Sequence, residues 1–127
     1  MNFVSIDFET ATSKRSSACA IAIVEVKNSE VTSKYSTLIR PPQNQYDWRN
    51  TQVHGIEEND TTNSPSFPQI YEDIKSRLMG RNLVAHNESF DRSVLAKTML
   101  YYSLEYSDLG LNEKWNCTMK IARSLKF

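Results

Sequence analysis

The first third of the chain alternates between apolar and polar residues with the period of two that is typical of β-strands. Residues 3–9 place two sets of side chains on opposite faces of a strand, namely Val4, Ile6 and Phe8 against Ser5, Asp7 and Glu9. Residues 20–26 predict a second strand, residues 27–30 a hairpin turn, and residues 31–39 a third strand. Pro41-Pro42 ends the third strand because proline cannot donate to a sheet ladder.

The rest of the chain alternates between helices and short strands. Residues 43–65 read as an irregular segment, and its length predicts functional loops or short helices. A helix follows. Ser66 and Gln69 form a capping box at its start, and Gly80 ends it. Its apolar stripe consists of Phe67, Ile70, Tyr71, Ile74 and Leu78.

Residues 83–85 predict a fourth strand, and the segment after them leads into a second helix. The predicted buried face of that helix consists of Phe90, Val94, Leu95 and Thr98. A short strand near residues 115–118 and a last helix from about Thr118 complete the pattern. An antiparallel meander followed by alternating helices and strands predicts an α/β fold with a mixed sheet flanked by helices.

Composition and charge narrow the possible functions. The 127 residues include 15 Lys plus Arg and 15 Asp plus Glu, for a net charge of zero, which predicts one domain and excludes a polybasic arm. Contact with nucleic acid would therefore be local. The longest apolar run, residues 18–24, is far shorter than the roughly 20 residues of a membrane-spanning helix. Asp7 and Glu9 stand where a signal peptide would be apolar, so we expect a cytoplasmic protein with no membrane segment.

Two cysteines, Cys19 and Cys117, lie far apart and outside any metal-ligand spacing. They could form one disulfide, but in a cytosolic protein the expectation is two free, buried thiols. Zinc is correspondingly disfavoured as the metal.

Asp7 and Glu9 are candidate metal ligands, because residues two apart on a strand share a face at about 7 Å between their Cα atoms. Two carboxylates at that spacing can reach one divalent ion. They could equally lie on a solvated edge strand, although an apolar first strand is expected inside the sheet, where unpaired acids are costly. Asn87 and Asp91 are similarly ambiguous: helix capping and the helix dipole account for both, yet Asp91 could add a third carboxylate.

Taken together, these residues resemble the DnaQ-like 3′–5′ exonucleases of the DEDD group (DEDDh type), a ribonuclease H-like family. The resemblance covers essentially the whole chain and rests on segments in matching order: Ile6-Asp7-Phe8-Glu9-Thr10, Val53-His54-Gly55-Ile56, Pro65-Ser66-Phe67, Ala85-His86-Asn87-Glu88-Ser89-Phe90-Asp91 and Cys117-Thr118. It implies hydrolysis of terminal phosphodiesters of DNA or RNA by two divalent ions, Mg²⁺ or Mn²⁺, which suit an all-oxygen ligand set. The family includes the proofreading epsilon subunit of bacterial DNA polymerase III, so a polymerase subunit is a possible partner.

The resemblance also implies roles for individual residues. Asp7 would bridge both ions, Glu9 would help to hold the ion nearest the attacking water, and Asp91 would hold the other side of the site. The implied contacts with a single-stranded or frayed 3′ end are made by Phe8, Thr10, His54, Gly55, Ile56, Asn87 and Phe90. His54 could equally be a loop residue that is hydrogen-bonded to backbone.

The third motif of the family, a histidine base followed five residues later by an aspartate, is not found: no histidine follows His86. We therefore expect residues 1–127 to be the amino-terminal portion of an exonuclease domain, inactive or nearly so alone. Alternatives are a non-catalytic relative that binds nucleic acid or metal, and a site completed by another chain. DNA proofreading, RNA end-trimming and tRNA maturation all remain possible. A basic face formed by Lys120, Arg123 and Lys126 could be a phosphate track or merely solvated.

Overall fold

Five strands form one mixed sheet in a computed structural model that describes residues 2–111 and 115–117, without the side chain of Cys117. The strands are β1 (Phe3–Thr10), β2 (Ala18–Lys27), β3 (Glu30–Leu38), β4 (Leu83–Ala85) and β5 (Asn116–Cys117). Their order across the sheet is β3-β2-β1-β4-β5; β1, β2 and β3 pair antiparallel, whereas β4 runs parallel to β1 and to β5. The predicted α/β fold is confirmed, and β1 lies at the centre of the sheet as expected.

Four helices accompany the sheet: α1 (Trp48–His54), α2 (Glu58–Thr61), α3 (Phe67–Leu78) and α4 (Glu88–Tyr101). The segment predicted as irregular contains α1 and α2, which are short because each is bounded by its own local signals. The Asp47 carboxylate accepts the Arg49 N–H at the start of α1, and Gly55 ends α1 in the left-handed conformation at φ 77°.

The capping box predicted for α3 is present, since the Ser66 N–H donates to Gln69 Oε1 at 2.8 Å. In α4, Asn87 occupies the N-cap position but its side chain makes no capping bond, which corrects the expected role of that side chain. The predicted last helix and its basic face at Lys120, Arg123 and Lys126 lie outside the described residues.

The core lies on one face of the sheet. Val4, Ile6 and Phe8 are at most 2% exposed and pack in one cluster with apolar residues of α3 and α4. The guanidinium of Arg77 on α3 lies 4.4 Å from the ring centroid of Tyr35. Tyr35 pairs with Ile23 of β2, and Ile23 pairs with Ile6, so the three side chains lie on one face of the sheet. Helix α3 therefore covers the Ile6 face, whereas on the opposite face Asp7 is exposed and Glu9 half-buried among the described residues.

Strand β1 extends beyond its parallel neighbour. Only Val4 and Ser5 pair with β4, so the carboxyl half of β1 has no β4 partner on that edge. The helix that follows β4 begins beside this edge, where its first turn meets the backbone of β1. Within the described ranges, no helix is long and apolar enough to cross a membrane.

Candidate active site

The face of the sheet that bears Asp7 and Glu9 holds an open groove of about 420 Å³, and both acids line it. Asp7 and Glu9 pair across the ladder with Ala22 and Ala20, whose small side chains leave the carboxylates accessible. Ser36 and Leu38 of β3 form the far wall of the groove. The period of two in β1 therefore places both acids in one cleft, as predicted.

Asp91 bonds to the same strand from 83 positions away in the chain. Its Oδ1 accepts the backbone N–H of Phe8 at 2.9 Å, and the side chain is only 2% exposed. That N–H lies on the unpaired edge of β1, between the two acidic residues. The Asn87 carbonyl accepts the N–H groups of Phe90 and Asp91, each at 3.1 Å, and so anchors the first turn of α4.

The three carboxylates influence one another electrostatically. The pKa of Asp91 is raised to about 7, chiefly by burial; the bond from Phe8 opposes the shift, and the negative charges of Asp7 and Glu9 add to it. Burial also raises the pKa of Glu9, as does the charge of Asp7, and His54 opposes this effect. Within the described parts of the chain, no ion pair involves any of these three acids. Neighbouring acids that stay together despite an unfavourable desolvation energy are typical of a cation site.

The donor set fits a hard divalent ion. All three groups are carboxylates, which suit Mg²⁺ or Mn²⁺ better than zinc. Among the described His, Cys, Asp and Glu residues, no three are placed so that they could already hold one ion.

His54 lies at the carboxyl end of β1, where both of its ring nitrogens are engaged. Nε2 donates to the Thr10 carbonyl at 2.9 Å, and Nδ1 accepts the Ile56 N–H at 3.0 Å. The neutral ring with its proton on Nε2 satisfies both bonds. A proton on Nδ1 would break the bond from the Ile56 N–H, so the structure favours the interpretation of His54 as a residue bonded to backbone, at the last position of α1.

The neighbours of His54 complete this corner of the site. Asn50 Nδ2 donates to the carbonyls of Thr10 and Thr12 at 3.1 and 3.0 Å. The Thr10 side chain is 8% exposed, while Gly55 is exposed and Ile56 half-buried. These residues lie at or next to the carboxyl end of β1, and their contacts with the 3′ end stay a prediction.

Phe8 requires a correction. The alternation of β1 turns its ring into the core, where it is 2% exposed, so the ring cannot contact a nucleotide in this structure. Its backbone N–H faces the site instead, as the donor to Asp91. Asn87 is exposed and Phe90 half-buried at the start of α4, beside Asp91, which leaves both predicted contacts possible.

Two residues near the site were not predicted. Asn50 joins α1 to β1, and Arg15 packs on α4, with Nη1 donating to the Ser89 carbonyl at 3.4 Å and the guanidinium 5.3 Å from the Phe90 ring centroid. The only sequence signal for Arg15 is the basic pair Lys14-Arg15 in the loop directly after the first acidic motif. Asn50 lies in the segment that sequence patterns left irregular.

Cys19 behaves as expected of a structural thiol. It is free and buried, with Sγ 3.9 Å from His54 Nε2. Burial raises the pKa of Cys19 to about 12, so the thiol remains protonated and unreactive at neutral pH.

Comparisons with known proteins agree on one class. The RNase_T family model, described as exonuclease, matches residues 4–125. The DNA polymerase III subunit epsilon of Buchnera aphidicola subsp. Schizaphis graminum is 27% identical over 106 residues, which are 83% of this chain and 45% of that protein. RNA exonuclease 4 of Mycosarcoma maydis is 29% identical over 86 residues, which are 67% of this chain and 23% of that protein. The chain thus spans less than half the length of either curated relative.

Solved structures show the same fold. Exonuclease X in complex with 5′ overhanging duplex DNA is 30% identical with a TM-score of 0.66, and the match covers 96% of this chain and 63% of that one. The nuclease domain of 3′hExo, a DEDDh family member bound to rAMP, is 20% identical with a TM-score of 0.75, and the match covers 99% and 71% of the two chains.

Proposed function

Because the chain belongs to the RNase_T exonuclease family, whose DEDDh members use divalent metal ions, we propose that it acts on the 3′ end of a nucleic acid and hydrolyses the terminal phosphodiester. The observation that supports this best is the bond from the Phe8 N–H to Asp91. It places the buried carboxylate of the second motif against the strand whose two acids, Asp7 and Glu9, line the open groove. A cluster of this kind has no stabilising role of its own and is suited to binding a cation.

The proposed ligands are Asp7, Glu9 and Asp91, with Mg²⁺ or Mn²⁺ as the metal. Two such ions, when bound, would neutralise the charge that develops on the phosphate and on the leaving oxygen. Asp7 is exposed and Glu9 half-buried, so both can turn toward an ion in the groove. The Phe8 N–H of β1 donates to the Asp91 carboxylate and so fixes the orientation of that carboxylate.

The remaining residues would position the terminal nucleotide. Thr10, His54 and Ile56 form a hydrogen-bonded corner at the carboxyl end of β1, and Asn87 and Phe90 lie beside Asp91 at the start of α4. Both ring nitrogens of His54 bond to backbone groups. We therefore propose that His54 holds this corner in place and does not transfer a proton.

The polypeptide of these 127 residues is proposed to have little activity by itself. Its two histidines are His54, which is engaged, and His86, which belongs to the second motif. A positioned general base contributes roughly 10²–10⁴-fold to such a reaction. We expect slow release of 3′-terminal mononucleotides that requires Mn²⁺ or Mg²⁺, and faster release when free imidazole is added as a substitute base.

The test uses matched oligonucleotides labelled at the 3′ or the 5′ end. Loss of the 3′ label as a mononucleotide, with progressive shortening of the 5′-labelled strand, is expected; the Asp7→Asn variant should abolish both. Release from the 5′ end would exclude the proposed direction. Rapid trimming without imidazole would show that the 127 residues need no further base.

A non-catalytic relative that binds metal or nucleic acid is the main alternative, and calorimetry separates its forms. Mn²⁺ titrated into the parent should release heat that Asp7→Ala removes. Heat without any hydrolysis would favour a binding module, and no heat in the parent would exclude a metal site altogether.

The substrate is proposed to be DNA, in a proofreading role with a polymerase subunit as partner and a cytoplasmic location. The epsilon subunit among the relatives supports this choice. RNA end-trimming is the second candidate, and RNA exonuclease 4 favours it. Competition between DNA and RNA strands of identical sequence for the same protein decides between them.

A further inference from the structure

A second groove, of about 410 Å³, lies outside the carboxylate cleft, between the loop after β1 and the carboxyl half of α4. Its lining residues are Lys14, Arg15, Ser16, Lys97, Leu100 and Tyr101. The lining includes three cations and no acid, and no ion pair in the described part of the chain involves any of the three. In a protein of zero net charge, this is a local concentration of positive charge that suits a phosphate backbone.

The floor of the groove is apolar and unusually exposed. Leu100 is 70% exposed and Tyr101 53% exposed. The Tyr101 ring meets the Tyr102 ring edge-on at 4.9 Å and 80°, and Tyr102 in turn stacks on the buried Phe67 at 6.5 Å. Tyr101 is therefore an exposed aromatic side chain whose orientation is supported from the core, which is the property of a base-stacking platform.

The groove is joined to the carboxylate cleft through Arg15. Its backbone carbonyl accepts from Thr98 Oγ1 at 3.4 Å and its Nη1 donates to the Ser89 carbonyl, so the loop lies along α4 from its first turn to its last. Tyr101 follows Asp91 by ten residues, or about 15 Å along the helix at 1.5 Å per residue. A stacked strand that rises about 3.4 Å per nucleotide spans this distance in roughly four nucleotides.

From this geometry we infer that the groove binds the single-stranded nucleic acid several nucleotides upstream of the 3′ end, with Lys14 and Lys97 on phosphates and one base stacked on Tyr101. The inference rests on the function proposed above, since it concerns the same substrate strand. A single strand fits better than a duplex because only an unpaired base can offer its face to Tyr101.

The experiment measures binding of 5′-labelled oligonucleotides whose 3′-terminal linkage resists hydrolysis, in the presence of Mn²⁺. A dinucleotide reaches only the carboxylate cleft, whereas a strand of about twelve nucleotides reaches both surfaces. Tyr101→Ala and Lys97→Glu should each weaken binding of the long strand about tenfold and leave the dinucleotide unchanged. Tyr101→Phe, which keeps the aromatic face, should retain the parent affinity.

Salt dependence tests the phosphate contact separately. Lys97→Gln should reduce the slope of log affinity against log salt for the long single strand by about 0.7, the value for one phosphate contact. Lys75→Gln is the matched control, because Lys75 lies on α3 and does not line this groove, and its slope should equal that of the parent. Unfolding curves of all variants confirm that they remain folded.

The outcomes distinguish this inference from the proposed function. If neither the dinucleotide nor the long strand binds, the proposed function fails. If both bind with equal affinity, or if Tyr101→Ala and Lys97→Glu bind the long strand as the parent does, the groove is not a strand-binding surface although the function stands. Stronger binding of a blunt duplex than of the single strand would overturn the assignment to an unpaired strand.

Discussion

Asp91 shows most directly that the site lowers the stability of the folded protein. The residue is buried beside two other acids and receives one backbone hydrogen bond, from Phe8. Its pKa lies near 7 because ionisation would place a charge in a poorly solvated and already negative environment. In the absence of a cation, this carboxyl group therefore works against the folded state at neutral pH. Such a cost is expected at a functional position and not at a structural one.

We predict that Asp91→Asn stabilises the metal-free protein above neutral pH. The folded state holds the Asp91 proton more tightly than the unfolded chain does, so the stability of the parent falls as pH rises from about 4 toward 7 and stays low above it. Asparagine escapes this loss and can still accept the Phe8 N–H. Urea unfolding in EDTA should show a gain on the order of 2 kcal/mol at pH 8 that vanishes near pH 4.

Asp108→Asn is the control for this comparison, because Asp108 is exposed and its replacement should change stability by less than about 0.5 kcal/mol at either pH. Equal stability of Asp91→Asn and the parent across the whole pH range would contradict the raised pKa.

At the level of elements, α1 is held to the end of β1 by polar contacts. His54 and Asn50 both donate to the Thr10 carbonyl, and the Asp47 N–H donates to the Ala11 carbonyl at 2.9 Å. No residue of α1 is buried, so apolar packing cannot hold this helix in place. The corner that borders the active site therefore depends on a small number of hydrogen bonds.

We predict that His54→Ala costs about 1–3 kcal/mol of unfolding free energy, because it leaves the Ile56 N–H and one bond to Thr10 unsatisfied. Asn50→Ala should cost a similar amount, and the double variant more than the sum, since the Thr10 carbonyl then loses both of these donors. Urea unfolding measures all three. Gln52→Ala, at an exposed position of the same helix, should be nearly neutral; a loss equal to that of His54→Ala would contradict the assigned role.

Gly55 gives a second prediction for this element. It ends α1 at φ 77°, and a Cβ built there meets no atom within 4 Å. Gly55→Ala should therefore lose about 1 kcal/mol from backbone strain alone. Gly55→Asn should lose less in the same thermal unfolding experiment, because asparagine tolerates the left-handed conformation better. A larger loss with asparagine than with alanine would indicate a steric cause.

The net charge of the whole molecule is zero, but its positive and negative side chains are separated in space. Asp7 and Glu9 line the carboxylate cleft with the buried Asp91 behind the same strand, while Lys14, Arg15 and Lys97 line the neighbouring groove. One face of the sheet supplies the core through α3, and the other face leaves Asp7 exposed among the described residues. Stability of the whole domain is thereby linked to cations, because metal binding would relieve repulsion that folding creates.

We predict that Mn²⁺ raises the unfolding temperature of the parent. A ligand that binds only the folded state at ten times its Kd adds about 1.4 kcal/mol, which corresponds to roughly 3–5 °C for a domain of this size. Asp7→Ala should remove most of this shift, measured by differential scanning fluorimetry. An identical shift in Asp7→Ala would place the bound ion elsewhere.

Much of the fold was predictable because its determinants are local. The alternation in residues 3–9 depends only on the geometry of a strand, and it correctly placed Asp7 and Glu9 on one face. The capping box of α3 likewise depends on residues three apart. Residues 43–65 were expected to hold functional loops or short helices, but α1 could not be placed within them because it buries no residue and so leaves no apolar period to detect.

The sequence by itself determined the strands, the main helices and the chemical character of the site, because these follow from residues that are neighbours in the chain. Only the tertiary structure decided that Asp91 bonds to the backbone of Phe8, that the Phe8 ring turns away from the site and that Arg15 lies on α4. The first contact spans 83 positions and exists because β4 runs parallel to β1 yet pairs with only two of its residues. Contacts at such separations are set by how elements pack, which no local pattern encodes.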